Sequence, residues 1–427
     1  MNKYKISKYV LFRKRKGVVV VFNFMNKCMF AIEKEKCEEL LQGDFHSLSV
    51  ARPHFFSAMI KLGVIVPSDF DEIDKIRTEN RNVVFDSYCY RLTLNPTLEC
   101  NFSCWYCYEK HTQGKMDKRL LESVEKHIKR KIEEGVKRLE LDWFGGEPFL
   151  YFDEILYPLS LKIKRMCDLK GVEFVNSSTT NGYLLNLERI GKLKKIQMNN
   201  FQITLDGNEK LHDRIRFDKN TRKSYRKIIE NINLLADKVD CKISVRINFT
   251  KKTLEDIKEI ANDFSEEAKR KIEICFQQVW QDSFKKTVSA TVVEKEFMQL
   301  GFSVERSNLN ELYYACYADL KNQAVVNYDG TVFKCTARDF ANTEPDGVLQ
   351  PDGSIDWNES KFYARMCRAT FENKFCLKCF YLPLCKGPCS QKMVEMKDDL
   401  DFKKYCYKEG IKETVSKKIE DFVRTLK

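Results

Sequence analysis

The chain has 427 residues, 43 % of them hydrophobic, with 17 cysteines and a formal charge of +12. That length and apolar content suit two or three domains with real cores and exclude a disordered chain or a small disulfide-stapled scaffold. The N-terminus lacks a secretory pattern and no apolar run approaches the roughly 20 residues of a membrane helix. The expectation is therefore a cytoplasmic protein with no membrane anchor, whose cysteines bind metal rather than pair. The basic residues, for example Lys126, Arg130, Lys131, Lys137 and Arg138, read as a solvated surface, with an acidic peptide as the sharper alternative. Nucleic acid is disfavoured, because no basic stripe is interleaved with aromatics.

Residues 1–85 read as a small separate unit. Residues 9–12 and 18–22 are strand-like, with 13–17 as the turn between them. Helical patterns follow near 33–41 and 55–62, and 62–66 suggests a return strand. This layout suits a winged-helix-like α+β unit, and the charged stretch 69–81 reads as a linker. Residues 86–300 alternate strand and helix. Strand-like runs fall at 90–95, 139–144, 173–179, 200–205, 242–249 and 272–279, and Leu121, Val124, Ile128 and Ile132 mark a helix between the first two. Six βα units predict a parallel sheet curled into a partial (β/α)6 TIM-like barrel, with its chemistry at the C-terminal strand ends. From 301 to 427 the alternation stops and cysteines dominate. Ile411, Val415, Ile419, Phe422, Val423 and Leu426 then mark an amphipathic helix expected to pack on that cysteine-rich segment.

Cys100, Cys104 and Cys107 follow the first barrel strand. Three thiolates at this spacing can hold three irons of a cubane cluster and leave the fourth open. Zinc is the rival, with His111 as fourth ligand, and three buried structural thiols are the bland reading. After the second strand comes Trp143-Phe144-Gly145-Gly146-Glu147-Pro148. Two glycines there let a backbone approach a ligand closely, and Glu147 offers an acceptor beside them.

These two motifs together resemble the radical SAM superfamily. The resemblance implies a [4Fe–4S] cluster on Cys100, Cys104 and Cys107. Its open iron binds S-adenosylmethionine, and electron transfer yields a 5′-deoxyadenosyl radical that abstracts a hydrogen atom. It places Tyr106 against the adenine end and Gly145, Gly146 and Glu147 at the methionine amino group. Ser178 and Thr180, before Asn181 and Gly182, become ribose contacts. Arg216 becomes the partner of the carboxylate, with Arg214 as rival, and Ile247, in Val245-Arg246-Ile247-Asn248, flanks the adenine.

A second set comprises Cys316, Cys335, Cys376, Cys379, Cys385, Cys389 and Cys406. Cys376, Cys379, Cys385 and Cys389 could close one zinc site, which leaves the other three unexplained. The whole layout resembles the SPASM domain, which implies two auxiliary [4Fe–4S] clusters and three in all. By that resemblance Cys376, Cys379, Cys385 and Cys406 ligate the outer cluster, and Cys316, Cys335 and Cys389 the inner one. The upstream fourth inner cysteine of some relatives is missing. Either an inner iron is open, or Cys275 or Cys367 supplies the ligand. Cys28, Cys37, Cys89, Cys167 and Cys241 read as small buried hydrophobes.

SPASM enzymes mostly act on peptides. The resemblance favours a maturase of a ribosomally made precursor peptide that installs a thioether or carbon–carbon crosslink. Residues 1–85 would bind the peptide's leader by strand addition, and a flavodoxin or ferredoxin would supply electrons. The competing class is an anaerobic sulfatase-maturating enzyme, which makes formylglycine. Such enzymes carry an aspartate directly after the second inner-cluster cysteine, where this chain has Thr336. Asp339 is then the nearest candidate base, with a helix cap or an Arg338 partner as its bland role. A non-catalytic Fe–S or zinc protein is a third class, separated from the others by release of 5′-deoxyadenosine.

Overall fold

The computed structural model describes residues 3–15, 17–279, 281, 290–305, 316–367, 369–396 and 402–426. Its first elements are β1 (Tyr4–Ile6), β2 (Val10–Arg15), β3 (Val18–Asn23), β4 (Met29–Glu33), α1 (Lys34–Gln42), α2 (Phe45–Ala51), α3 (Pro53–Lys61), β5 (Ile65–Pro67) and α4 (Glu72–Val84). Strands β2, β3 and β4 form an antiparallel sheet in that order, and β1 pairs antiparallel with β5. The run of valines in β3 is explained by burial on both faces. Val19 and Val21 pack towards Leu40, Phe45 and Leu48, while Val20 and Phe22 enter a different core. The stretch expected as a linker is a helix. Asp71 caps α4 by accepting hydrogen bonds from the Ile73 and Asp74 N–H groups, and Ile76 is fully buried.

The expected βα series follows. It runs β6 (Cys89–Leu94), β7 (Phe102–Cys104), α5 (Lys118–Glu133), β8 (Arg138–Trp143), α6 (Tyr157–Lys170), β9 (Glu173–Thr180), α7 (Leu187–Leu193) and β10 (Met198–Leu205). Then come α8 (Glu209–Ile215), β11 (Arg216–Asp218), α9 (Tyr225–Lys238), β12 (Lys242–Phe249), α10 (Glu266–Lys271), β13 (Ile272–Gln278) and β14 (Ser303–Val304). Four strands add to them: β15 (Gln323–Val326), β16 (Thr331–Phe333), β17 (Gly347–Leu349) and β18 (Ile355–Trp357). The main sheet has the linear order β14-β13-β12-β10-β9-β8-β6-β15-β16-β17-β18. It is parallel from β14 to β15 and antiparallel beyond. The α/β class and the parallel core are thus as expected. Leu139, Leu141 and Trp143 of β8 are buried with Val124 and Ile128 of α5, and Leu121 and Ile132 pack beside them. The alternate positions, Glu140 and Asp142, turn to the opposite, polar side of the sheet.

By its contacts the chain divides into two units. One is the βα sheet, residues 86–306 and 322–359. The other joins residues 1–85, 307–321 and 360–427. In that second unit Tyr9, Val20, Phe22, Phe24 and Ile76 share a core with Phe371, Leu382, Leu384, Ile411, Val415 and Ile419. The Phe24 ring lies 5.0 Å from that of Phe380 and 5.6 Å from that of Tyr381. Arg77 reaches Glu372 at 3.2 Å, and Lys386 reaches Glu79 at 3.4 Å. The C-terminal helix Lys408–Thr425 buries Ile411, Val415 and Ile419 of the stripe read from the sequence, with Phe422 and Val423 partly buried beside them and Leu426 exposed. Among the described residues no helix is long and apolar enough to cross a membrane.

Phe24 is fully buried where the two ends of the chain meet. Phe24→Ala should cost about 3–5 kcal/mol, as for other large-to-small core changes. Urea unfolding followed by near-ultraviolet circular dichroism should show a lower midpoint, and an unmoved midpoint would contradict the shared core.

Candidate functional site

The loop carrying Cys100, Cys104 and Cys107 follows β6, with Cys104 closing β7. Strand β7 pairs antiparallel with β11, in a register that sets Arg216 opposite Cys104. The Arg216 Nη1 stands 3.4 Å from the Cys104 Sγ and 3.4 Å from the Tyr106 hydroxyl. Its Nε is out of solvent and has no hydrogen-bond partner. Arg214, the rival, is exposed. Burial pushes all three thiols up, with Arg216 pulling Cys104 back. His111 hydrogen-bonds the Leu98 carbonyl through Nδ1 at 2.9 Å and holds Nε2 3.6 Å from the Cys107 Sγ. Among the described residues no three His, Cys, Asp or Glu side chains converge on a single-ion position.

Tyr106 joins this group through its hydroxyl, which donates to the Asp206 Oδ2 and accepts from the Asn248 Nδ2 at 3.2 Å. The Asp206 Oδ1 and both amide atoms of Asn95 are buried without partners. An unsatisfied buried polar group costs about 1–3 kcal/mol. The Asp206 carboxylate and the Arg216 guanidinium meet at the Tyr106 hydroxyl, and their unpartnered Oδ1 and Nε mark a cradle for a polar ligand bearing both donors and acceptors. Asp206, Asn95 and Asn248 were not singled out as site residues. The available signal was position, since Asp206 and Asn95 directly follow the C-terminal ends of β10 and β6.

The two-glycine turn closes over the same loop. Gly145 and Gly146 have φ of +74° and +43°. A Cβ on Gly146 would lie 2.2 Å from the Glu99 carbonyl oxygen, so only glycine fits. The Gly146 N–H donates to the Glu109 carboxylate at 2.8 Å. Burial pushes Glu109 up to about 7, against the pull of that hydrogen bond. Glu147 is 0 % exposed, and its carboxylate accepts from the Thr180 hydroxyl at 2.7 Å, the Asn181 N–H at 2.7 Å and the Phe149 N–H at 3.0 Å. Burial raises this carboxyl in spite of those bonds. Its role in the structure is to tie the turn to the end of β9.

Strand alternation decides the remaining residues. Ser178 and Thr180 are buried, the former on the Trp143 carbonyl at 3.3 Å and the latter on Glu147. Ile247 is fully buried within β12. Their half-buried neighbours Ser177, Thr179, Arg246 and Asn248 belong to the polar side. There Asp142, Ser177, Thr179, Gln202, Ser244 and Glu273 line a cavity of about 590 Å³.

In the other unit Cys376, Cys379, Cys385 and Cys406 line one cavity of about 750 Å³. Cys316, Cys389 and Cys385 line a second, of about 510 Å³. Thiols disposed around cavities suit groups larger than one ion. Cys335 belongs to the βα unit and is buried just after β16. Its loop is latched to the Cys107 loop, since Tyr108 donates to the Thr336 carbonyl at 3.3 Å and the Lys110 N–H to the Asp339 Oδ1 at 3.0 Å. Burial pushes the Asp339 carboxyl up. Hydrogen bonds from Lys110, Asn342 and Ala341 outweigh it, so Asp339 sits below its ordinary value.

Comparison with known proteins follows this geometry. Residues 94–264 match the family model of the radical SAM superfamily. The cysteine-type anaerobic sulfatase-maturating enzyme of Clostridium novyi is 30 % identical over 146 residues, 32 % of this chain and 37 % of that protein. The serine-type enzyme of Klebsiella aerogenes is 31 % identical over 139 residues, 32 % of this chain and 34 % of that protein. The chain thus matches only about a third of the length of these relatives. Among solved structures, native anSMEcpe with bound AdoMet has a TM-score of 0.55 at 20 % identity, covering 72 % of this chain and 91 % of the other. SuiB of Streptococcus suis bound to its precursor peptide SuiA has a TM-score of 0.52 at 18 % identity, covering 92 % and 97 %.

Asp142 supplies a pH test. Burial lifts its carboxyl from 3.8 to about 6, although the Ser177 hydroxyl donates to it. A folded-state value above the unfolded one means that the group's contribution is complete below pH 3.8 and is lost as pH climbs through about 6. The urea midpoint of Asp142→Asn should therefore fall less than the parent's across that window. Parallel curves would refute the shift.

Proposed function

With residues 94–264 forming a radical SAM domain, we propose that this chain is a radical SAM enzyme that modifies a ribosomally made precursor peptide, installing a thioether or carbon–carbon crosslink. The observation that carries the peptide reading is the extent of the likeness to SuiB, 92 % of this chain against 72 % for anSMEcpe.

The residues present fit the cofactors. Cys100, Cys104 and Cys107 would hold the first [4Fe–4S] cluster, and the unpartnered Arg216 Nε would meet the carboxylate of S-adenosylmethionine. Backbone groups of Gly145 and Gly146 would take the methionine amino group, with Glu147 fixing their turn. Tyr106, held by Asp206 and Asn248, would bound the adenine end. Ser178, Thr180 and Ile247 would contribute through backbone and packing, since their side chains are buried in the sheet. When bound, the reduced cluster and S-adenosylmethionine supply a 5′-deoxyadenosyl radical able to take a hydrogen atom from the peptide. Cys376, Cys379, Cys385 and Cys406 would hold an auxiliary cluster and Cys316, Cys335 and Cys389 another, making three in all. The outer edges β2 and β4 of the N-terminal sheet offer positions for leader strand addition. A flavodoxin or ferredoxin would deliver the electrons.

The curated relatives favour a second reading, sulfatase maturation to formylglycine. Against it, Thr336 replaces the expected aspartate, and Asp339 is engaged by three donors that lower its proton affinity.

Anaerobically reconstituted protein should release 5′-deoxyadenosine from S-adenosylmethionine under dithionite. Cys104→Ala should abolish release and remove about four irons of roughly twelve. Release by that variant at the parent's rate would end the proposal. Co-expression with short peptides encoded beside the gene should yield a peptide lacking a hydrogen pair, as a crosslink requires. An aldehyde made on a sulfatase peptide instead would replace the crosslink reading with the formylglycine one.

A further inference from the structure

One cysteine outside the expected ligand sets shares a cavity with three members of them, Cys316, Cys385 and Cys389. Cys367 lines the 510 Å³ cavity together with Cys316 and Cys389. It ends the helix Glu359–Cys367 and is exposed, unlike Cys37, Cys167 and Cys241, which are buried in cores as small hydrophobes. An exposed thiol gains nothing from apolar burial, so packing does not account for it.

Local structure explains how the three cysteines come to face one space. Arg365, two residues before Cys367, is buried. It donates to the Ser390 hydroxyl at 3.1 Å and to the Gln391 Oε1 at 2.6 Å. Ser390 and Gln391 directly follow Cys389 and open the helix Ser390–Glu395. The guanidinium therefore locks the end of one helix to the start of the next and holds Cys367 in register with Cys389. The turn Tyr317–Asp319, next to Cys316, packs against the same helix Ser390–Glu395. The wall of the cavity also carries Arg77, Arg81, Arg365 and Lys386 against only Asp319 and Glu372. An iron–sulfur cluster with thiolate ligands is a net anion, and an excess of cations around it lowers the cost of burying that charge.

We propose that Cys367 is the fourth ligand of the inner iron–sulfur cluster, beside the Cys316, Cys335 and Cys389 of the reading above, so that this cluster presents no open iron to substrate. The thiol passes its proton to solvent as the iron–sulfur bond forms. The inference rests on the auxiliary-cluster reading above and deepens it, because it makes the cluster an electron carrier rather than a site where peptide binds iron.

The test uses full-length protein in which Cys100, Cys104 and Cys107 are all replaced by alanine, leaving only the auxiliary clusters. Electron paramagnetic resonance of the reduced protein is recorded with and without cyanide, and iron is counted. The expected parent spectrum ignores cyanide. Cys367→Ala should either lose about four irons per chain or acquire a cyanide-dependent signal. Cys367→Ser, which keeps a weaker ligand and the local shape, should shift the signal at unchanged iron content. The inference is overturned if both variants match the parent in iron and spectrum, or if the parent already responds to cyanide; in either case the auxiliary clusters themselves stand. An iron-free parent would instead remove the auxiliary clusters and this ligand together.

Discussion

A buried carboxylate holds the site together. Glu147 is closed to solvent and meets the Thr180 hydroxyl and the Asn181 and Phe149 N–H groups, while its own N–H donates to the Glu99 carbonyl at 2.8 Å. Its neighbour Gly146 donates to Glu109. Two adjacent residues thus fasten the end of β8 to the end of β9 and to both flanks of the cysteine loop. A buried carboxylate without these donors would be costly. The carboxylate fixes the turn, and the N–H groups of that turn hold Glu99 and Glu109 on either side of the three thiols. The β7–β11 pairing works from the other side and brings Arg216 to Cys104.

Much of this was legible in the sequence. Every barrel strand lies within a residue or two of its apolar run, because a sheet covered by helices on one side needs unbroken alternation of Leu, Ile and Val against polar partners. The two glycines were legible because the close approach of their turn to the Glu99 carbonyl leaves no room for a side chain. Alternation itself was harder to use. Ser178 and Thr180 are read as ribose contacts, and one residue of register puts their side chains on the buried side while Ser177 and Thr179 belong to the polar one. Ile247 likewise lies on the buried side, where its neighbours Arg246 and Asn248 do not.

Of the long-range packing only that of the C-terminal helix on the cysteine-rich segment was legible. The stretch before the barrel is rich in charge, and only Ile76 and Val84 among its apolar residues are fully buried, so its pattern was too thin to read as a helix. Its role as a wall beside Cys316 and Cys389 depends on residues 300 positions away. The division of the chain was equally hidden. Nothing in the local pattern of Val20, Phe22 or Phe24 indicates that their partners are Phe371, Leu382 and Ile411.

That shared core bears on how the protein is made. The first 85 residues leave the ribosome early, yet Phe22, Phe24 and Ile76 find their packing partners only when residues up to about 419 have been translated. At about 5–20 residues per second the delay is roughly 20–70 s. During it, the face of β3 that carries Val20 and Phe22 lacks its cover and is prone to aggregate or to engage a chaperone. Closure of the N-terminal core is therefore a late event in synthesis, and a chain stopped short of residue 411 should leave Phe22, Phe24 and Ile76 without part of their packing.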